Sequence, residues 1–267
     1  MKRRQDKTPP RREEPAKPSH YRDNEAKIYG INACRALWRV RPGDLVKVYL
    51  TKQRLKENQD LIKFCVANRK AYKLTTEDEL ERLTESVHHE GLCVIAKEPR
   101  TLNFEDVLSY LKSHQGEICL VYLDGVQNPH NVGNILRAGA HFGLPYVLTD
   151  GAAFKNLPPS TRRVSEGGAE FTNVVVLADP VRGLKSLKEM GFTLLSTSSH
   201  AATDVFRAKI PQKTVFILGS EVHGVSDKIS KLCDAHLAIP GSAQIESLNV
   251  ASAFAILAAE HWRRFHG

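Results

Sequence analysis

Three short segments in the second half of this 267-residue chain set glycine beside amide, carboxyl or guanidinium side chains, each just after an apolar, β-rich run. In the first, Asn128-Pro129 is a turn signal, Asn131 reads as the cap of a following helix, and Gly133 permits close approach to its first turn. Arg137, more than one helical turn further on, reads as a phosphate ligand at a helix mouth or, equally, as a surface arginine in an ion pair. The second segment runs Gly219-Ser-Glu221-Val-His-Gly224. Glu221 reads equally as a functional carboxylate or as a loop residue bonding backbone amides. The third runs from Ile239-Pro240 to Ser247-Leu248-Asn249. Ser247 reads as the cap of the last helix, which leaves Asn249 inside the first turn, where asparagine is a poor helix former.

Several common chemistries lack their sequence signatures. The second segment has no Gly-Lys-Ser/Thr ending, so it is not a Walker loop. No Gly-x-Ser-x-Gly elbow and no Gly-x-Gly-x-x-Gly fingerprint occur. His88-His89-Glu90 lacks the histidine spacing of a zinc helix, so no metal is expected.

The elements that must position these segments alternate regularly. Strands are expected over 118–123, 146–148, 174–177, 193–196, 214–218 and 237–239, with helices over 132–142 and 180–190 and a last one running toward Arg264. Short β-rich runs joined through helices imply a parallel sheet covered on both faces, whose ligands gather beyond the carboxyl ends of the strands. Upstream, 28–98 reads as a smaller α/β unit. Strands are expected at 45–50, 71–74 and 92–96 and a helix at 60–68, and Thr76 with Glu79 suggests a capping box for a helix through Leu83. Asn103 caps a helix carrying Val107, Leu108 and Leu111. The expected organisation is a basic tail over 1–24, an N-terminal domain over 25–98, a linker with a helix over 99–115 and a C-terminal domain over 116–267.

Composition narrows the class. With 42% hydrophobic and 25% charged residues this is an ordinary globular balance, and the apolar runs fall far short of the roughly 20 residues that cross a bilayer. No secretory signal is legible, and a cytoplasmic location is expected. Five widely spaced cysteines, Cys34, Cys65, Cys93, Cys119 and Cys233, read as buried free thiols. The net charge of +8 favours a polyanionic partner. Half of that excess sits in residues 1–24, where eight Lys/Arg face four Asp/Glu and four prolines interrupt the chain. Such a segment is expected to be disordered, either as an arm for phosphates or as a solubilising tail.

In this order, the three segments resemble the motifs of the SpoU/TrmH family of RNA ribose 2′-O-methyltransferases, within the SPOUT superfamily. Asn131-x-Gly133-x-x-x-Arg137 resembles the first motif, Gly219-x-Glu221-x-x-Gly224 the second, and Ile239-Pro240 with Ser247-Leu248-Asn249-Val250 the third. Residues 28–98 resemble, more weakly, the family's N-terminal RNA-binding domain. The resemblance implies an α/β fold whose C-terminal parallel-sheet domain carries a trefoil knot, S-adenosylmethionine as cofactor, a tRNA or rRNA substrate, and a homodimer that completes each site. It further implies a catalytic and substrate-orienting set of Asn131, Arg137, Glu221, Ser247 and Asn249. Cofactor contacts from Ser196, Thr197, Gly219, Gly224, Ile239 and Leu248 complete the implied site. Gly241, Ala243 and Ala251 stand where the family usually has methionine, glycine and serine.

Methyl transfer to a ribose hydroxyl needs in-line positioning and loss of a weakly acidic proton, without metal or covalent intermediate. A guanidinium stays protonated, so Arg137 is expected to bind the adjacent phosphate and stabilise developing alkoxide while phosphate or solvent takes the proton. The alternatives are a noncatalytic RNA-binding or ribosome-assembly protein retaining the fold and, more distantly, a small-molecule α/β enzyme. Deleting residues 1–24 is expected to make the slope of log affinity for RNA against log salt shallower, and an unchanged slope in a binding titration rejects the phosphate contacts of the arm.

Overall fold

The computed structural model describes residues 24–151, 154–242 and 244–267; the expected basic tail, Asn24 apart, lies outside the described residues. The N-terminal unit is built from β1 (Glu25–Tyr29), α1 (Ile31–Val40), β2 (Leu45–Thr51), α2 (Gln59–Ala67), β3 (Ala71–Thr75), α3 (Glu77–Thr84) and β4 (Leu92–Lys97). Its sheet has the order β1-β4-β2-β3, with β4 antiparallel to both neighbours and β2 parallel to β3. β1 and α1 have no counterpart in the sequence reading. The buried Lys27 interrupts the apolar pattern of β1, its Nζ donating to the Leu83 carbonyl at 2.8 Å. α1 starts at Gly30 without a side-chain cap. The expected capping box of α3 forms by half: Thr76 accepts from the Glu79 amide, whereas the Glu79 carboxylate turns to the Thr75 hydroxyl.

Asn103 and Asp106 form a full capping box on α4 (Phe104–Ser113). Val107 and Leu111 of α4 pack beneath the second sheet, so this helix belongs to that core. The remaining elements are β5 (Ile118–Asp124), α5 (Pro129–His141), β6 (Tyr146–Thr149), α6 (Pro159–Val164), β7 (Asn173–Val176), α7 (Pro180–Glu189), β8 (Thr193–Thr197), β9 (Thr203–Asp204), β10 (Lys213–Gly219), α8 (Asp227–Ser230), β11 (Ala235–Ala238) and α9 (Val250–His266). Seven strands pair in the order β7-β6-β5-β10-β8-β11-β9, all in parallel. One apolar cluster lies on each face, with Phe216 and Phe254 in one and Tyr122 and Ile217 in the other. The last strand is Ala235–Ala238, so Ile239 sits just beyond its end.

Starting at β5 the chain winds outward through β6 to β7, then crosses to the other side and returns with β10 beside β5. Ligands of doubly wound sheets bind at such a reversal of strand order. The pairing runs in register from Lys213↔Ile118 to Gly219↔Asp124, which brings the first and second glycine-bearing segments out of the sheet side by side.

Polar contacts join the two units. The buried Arg162 of α6 donates to Glu98 at 2.6 Å, and Arg41 pairs with Glu170 at 2.6 Å. Glu166, two residues after α6, accepts from Asn32 of α1 at 2.7 Å and pairs with Arg163. Burial pushes the Glu166 carboxyl up, but the bonds from Asn32 and Arg163 outweigh it and hold the group below its ordinary range. A folded pKa below the unfolded one contributes stability that is present above the unfolded value, near 4.3, and lost as pH falls through the folded value. Glu166→Gln is expected to lower unfolding free energy by about 1 kcal/mol at pH 7. In urea titrations this deficit should shrink toward zero as pH falls below about 4; a deficit that persists at acid pH refutes the assignment.

Candidate active site

α5 begins three residues earlier than the sequence reading placed it. Pro129 occupies its first turn, and Asn128, not Asn131, is the cap, its side chain accepting from the His130 amide. Proline suits a first helical position because its missing N–H has no helical partner there. Asn131 therefore lies in the opening turn, buried, with its amide free for contacts elsewhere. Gly133 serves a different approach from the one expected. A Cβ there would lie 2.8 Å from the Val164 side chain and 2.9 Å from the Thr161 carbonyl, so the glycine lets α6 settle against α5.

The cap of α9 is corrected in the same way. Asn249, not Ser247, holds that place, its Oδ1 accepting from the amides of Ala251 at 2.9 Å and Ser252 at 3.4 Å. Asparagine, a misfit inside a helix, is among the preferred caps. Ser247 and Leu248 lie in the exposed loop before it.

After β10 the chain folds sharply back. Ser220 bridges to Gly224, whose amide donates to the Ser220 carbonyl at 2.8 Å, and Gly224 has φ +66°. A Cβ on Gly219 would fall 1.9 Å from the Gly224 carbonyl carbon, so no side chain is tolerated at that turn. Asp124, which sequence reasoning missed, anchors the far side: buried at the end of β5, its Oδ2 accepts from the Ser226 amide at 2.6 Å. A lone carboxylate closing an otherwise apolar strand was the available signal.

The turns meet through their side chains. Asn131 Nδ2 donates to Glu221 Oε1 at 3.3 Å, Asn249 Nδ2 to the same oxygen at 2.7 Å, and Asn249 Nδ2 also to Asn131 Oδ1 at 3.0 Å. Residues 90 and 118 positions from Asn131 thus close a three-membered ring of hydrogen bonds. The partners of the Glu221 carboxylate are amide side chains rather than backbone amides.

Arg137 is exposed and lines a cleft of about 760 Å³ together with Asn32, Asn134, Glu166, Phe171 and Asn249. Of the expected cofactor contacts, Gly219 and Gly224 shape the turn after β10, and Ile239 is half-buried against the core. Thr197 ends β8. Ser196 is buried, and its hydroxyl bonds His236 Nδ1 on the neighbouring strand. Val222, which follows Glu221 in the chain, is 82% exposed, and in the loop leading to Asn249 Ile245 is 81% and Leu248 50% exposed. Apolar side chains left open around convergent polar groups suit a ligand with an apolar face. Among the described residues no group of three metal-ligating side chains is found, and no helix is long and apolar enough to cross a membrane.

Residues 118–259 match the SpoU rRNA Methylase family, and residues 27–102 match the module described as RNA 2'-O ribose methyltransferase substrate binding. The chain belongs to the SpoU rRNA methylase family. Among relatives, an Escherichia coli protein called uncharacterized tRNA/rRNA methyltransferase YfiF is 31% identical over 91% of this chain and 69% of its own length. The 23S rRNA (guanosine-2'-O-)-methyltransferase RlmB of Vibrio cholerae is 28% identical over 89% of this chain and 96% of its own. The solved structure of the SpoU methyltransferase AviRb from Streptomyces viridochromogenes, in complex with the cofactor AdoMet, superposes with a TM-score of 0.74 at 20% identity, covering 92% of this chain and 94% of that one. Within this SpoU methylase, Asn249 is both cap and ring member, and the two roles separate by mutation. Asn249→Ala is expected to lower unfolding free energy by about 1 kcal/mol, whereas Asn249→Ser, which keeps a capping oxygen, stays within roughly 0.5 kcal/mol of wild type. Equal losses in urea denaturation disprove the capping role.

Proposed function

We propose that this chain transfers a methyl group from S-adenosylmethionine to a ribose 2′-hydroxyl of ribosomal or transfer RNA. The observation that carries the reading is the ring of Asn131, Glu221 and Asn249, drawn from three distant segments to the reversal point of a parallel sheet. Relatives that match nearly along their whole length are called 23S rRNA (guanosine-2'-O-)-methyltransferases, which favours ribosomal RNA.

The cofactor supplies an electrophilic methyl group when bound. The exposed Val222, Ile245 and Leu248 suit its apolar parts, with the backbone of Thr197, Gly219, Gly224 and Ile239 offering polar contacts; Ser196 would act through its backbone, its hydroxyl being engaged. Glu221 takes both ring bonds on Oε1, and its second oxygen would accept from a substrate hydroxyl and fix its direction. Ser247, in the exposed loop beside Asn249, would join in orienting the substrate. Arg137 holds the adjacent phosphate and stabilises the developing alkoxide, while phosphate or solvent takes the proton.

Six residues at about 100° each turn Arg137 well off the face of α5 that carries Asn131. The exposed Phe171, in the cleft that Arg137 and Asn249 line together, supports a homodimer that completes each site. A threaded C-terminus is part of the same proposal, supported by the path of the chain from β11, beyond β8, back to α9 against α5 and β10.

Calorimetry should detect S-adenosylmethionine binding, and mapping of 2′-O-methylation in total RNA should find one site lost in cells without the gene. No binding and no lost site select the noncatalytic alternative. Arg137→Lys, which keeps the charge and loses the planar fork, is expected to reduce turnover by roughly tenfold or more. Near-normal turnover removes the fork from the mechanism.

A further inference from the structure

We infer that Arg163 is a positioning residue that sets the angle at which the N-terminal unit meets the cleft holding Arg137. The inference deepens the proposed RNA methylation and rests on it. Arg163 leaves α6 and enters the N-terminal unit, where its Nε donates to the His88 carbonyl at 2.9 Å and the two ends of its fork reach the carboxylates of Glu90 and Glu166. Its side chain is 18% exposed.

The surroundings are shaped for that one side chain. Gly30 has φ +90°, and a Cβ there would fall 2.4 Å from Arg163 Cδ. Both carboxylate partners stand in the left-handed region, Glu90 at φ +54° and Glu166 at +51°. Non-glycine residues keep that conformation only where their surroundings over-determine it. Each is also tied to α1: Glu90 Oε2 accepts from the Ile31 amide at 2.8 Å and Glu166 Oε2 from Asn32 at 2.7 Å.

The segment continues as a wedge between the units. A Cβ on Gly167 would strike the Ala36 side chain of α1 at 2.5 Å, and one on Gly168 the Leu136 carbonyl of α5 at 2.6 Å, immediately before Arg137. Glu166 itself lines the cleft with Arg137 and Asn249. None of the apolar clusters of described residues includes side chains of both units. Directional polar bonds and close glycine contacts therefore define the relative orientation here, and a forked guanidinium fixes direction where a point charge does not.

The test uses the full chain, with ribosomal RNA from cells lacking the gene as substrate. Arg163→Met is compared with Arg163→Lys and with Arg100→Ala, which removes an exposed arginine paired with Asp106 outside this network. Arg163→Met is expected to raise the KM for RNA by about tenfold or more, since two units at the wrong angle no longer engage the RNA together. Calorimetric affinity for S-adenosylmethionine and kcat at saturating RNA should stay near wild type, with Arg163→Lys intermediate and Arg100→Ala unchanged. An unchanged KM overturns the inference, as does a parallel loss of cofactor affinity, which marks general unfolding. If Arg163→Met does not fold, Glu90→Gln weakens the same fork from the other side and must raise KM likewise. A wild-type chain that methylates no RNA brings down the proposed activity instead. Hydrogen exchange over residues 30–36 then decides the inference alone, faster exchange in the variant supporting it and equal exchange refuting it.

Discussion

The pairing of β10 with β5 is the constraint on which the site depends. The last residues of the two strands, Gly219 and Asp124, are partners, and both strands are buried among neighbours. Two loops almost a hundred residues apart therefore begin a few ångströms from one another, at the point where the winding of the sheet reverses. Asp124 adds a tether: its carboxylate takes the Ser226 amide and so ties the end of one strand to the chain following the other. Given that frame, α9 needs only to begin in the right place for Asn249 to reach Glu221.

Much of this frame was legible in the sequence because it rests on local patterns. Apolar runs bounded by glycine, proline and polar residues marked every strand of the large sheet except β9, which has two residues and no pattern of its own. Helix beginnings were less legible. Asn128 and Asn131 both have the side chain of a cap, as do Ser247 and Asn249, and a choice between them needs the path of the incoming chain. In each pair the structure chose otherwise, Asn128 for α5 and Asn249 for α9. The residue types at the site were legible, but their hydrogen bonds were not, because the bonds depend on the order of strands.

β1 and α1 illustrate the other limit. A lysine at the centre of a strand reads as exposed, yet Lys27 is buried because a helix carbonyl 56 residues away receives its ammonium group. Gly133 and Gly168 show the same limit for glycine. Gly133 makes room for α6 and Gly168 for the backbone of α5, and only the tertiary contacts reveal which neighbour approaches.

The separation of the apolar clusters has an evolutionary consequence. The buried apolar side chains of the smaller half, from Ala26 to Ala96, share no cluster with those of the larger one. Either interior can drift provided that the charged and amide groups and the close glycine contacts along the seam are kept. Such a seam allows lineages to acquire new RNA targets while the catalytic half is inherited intact.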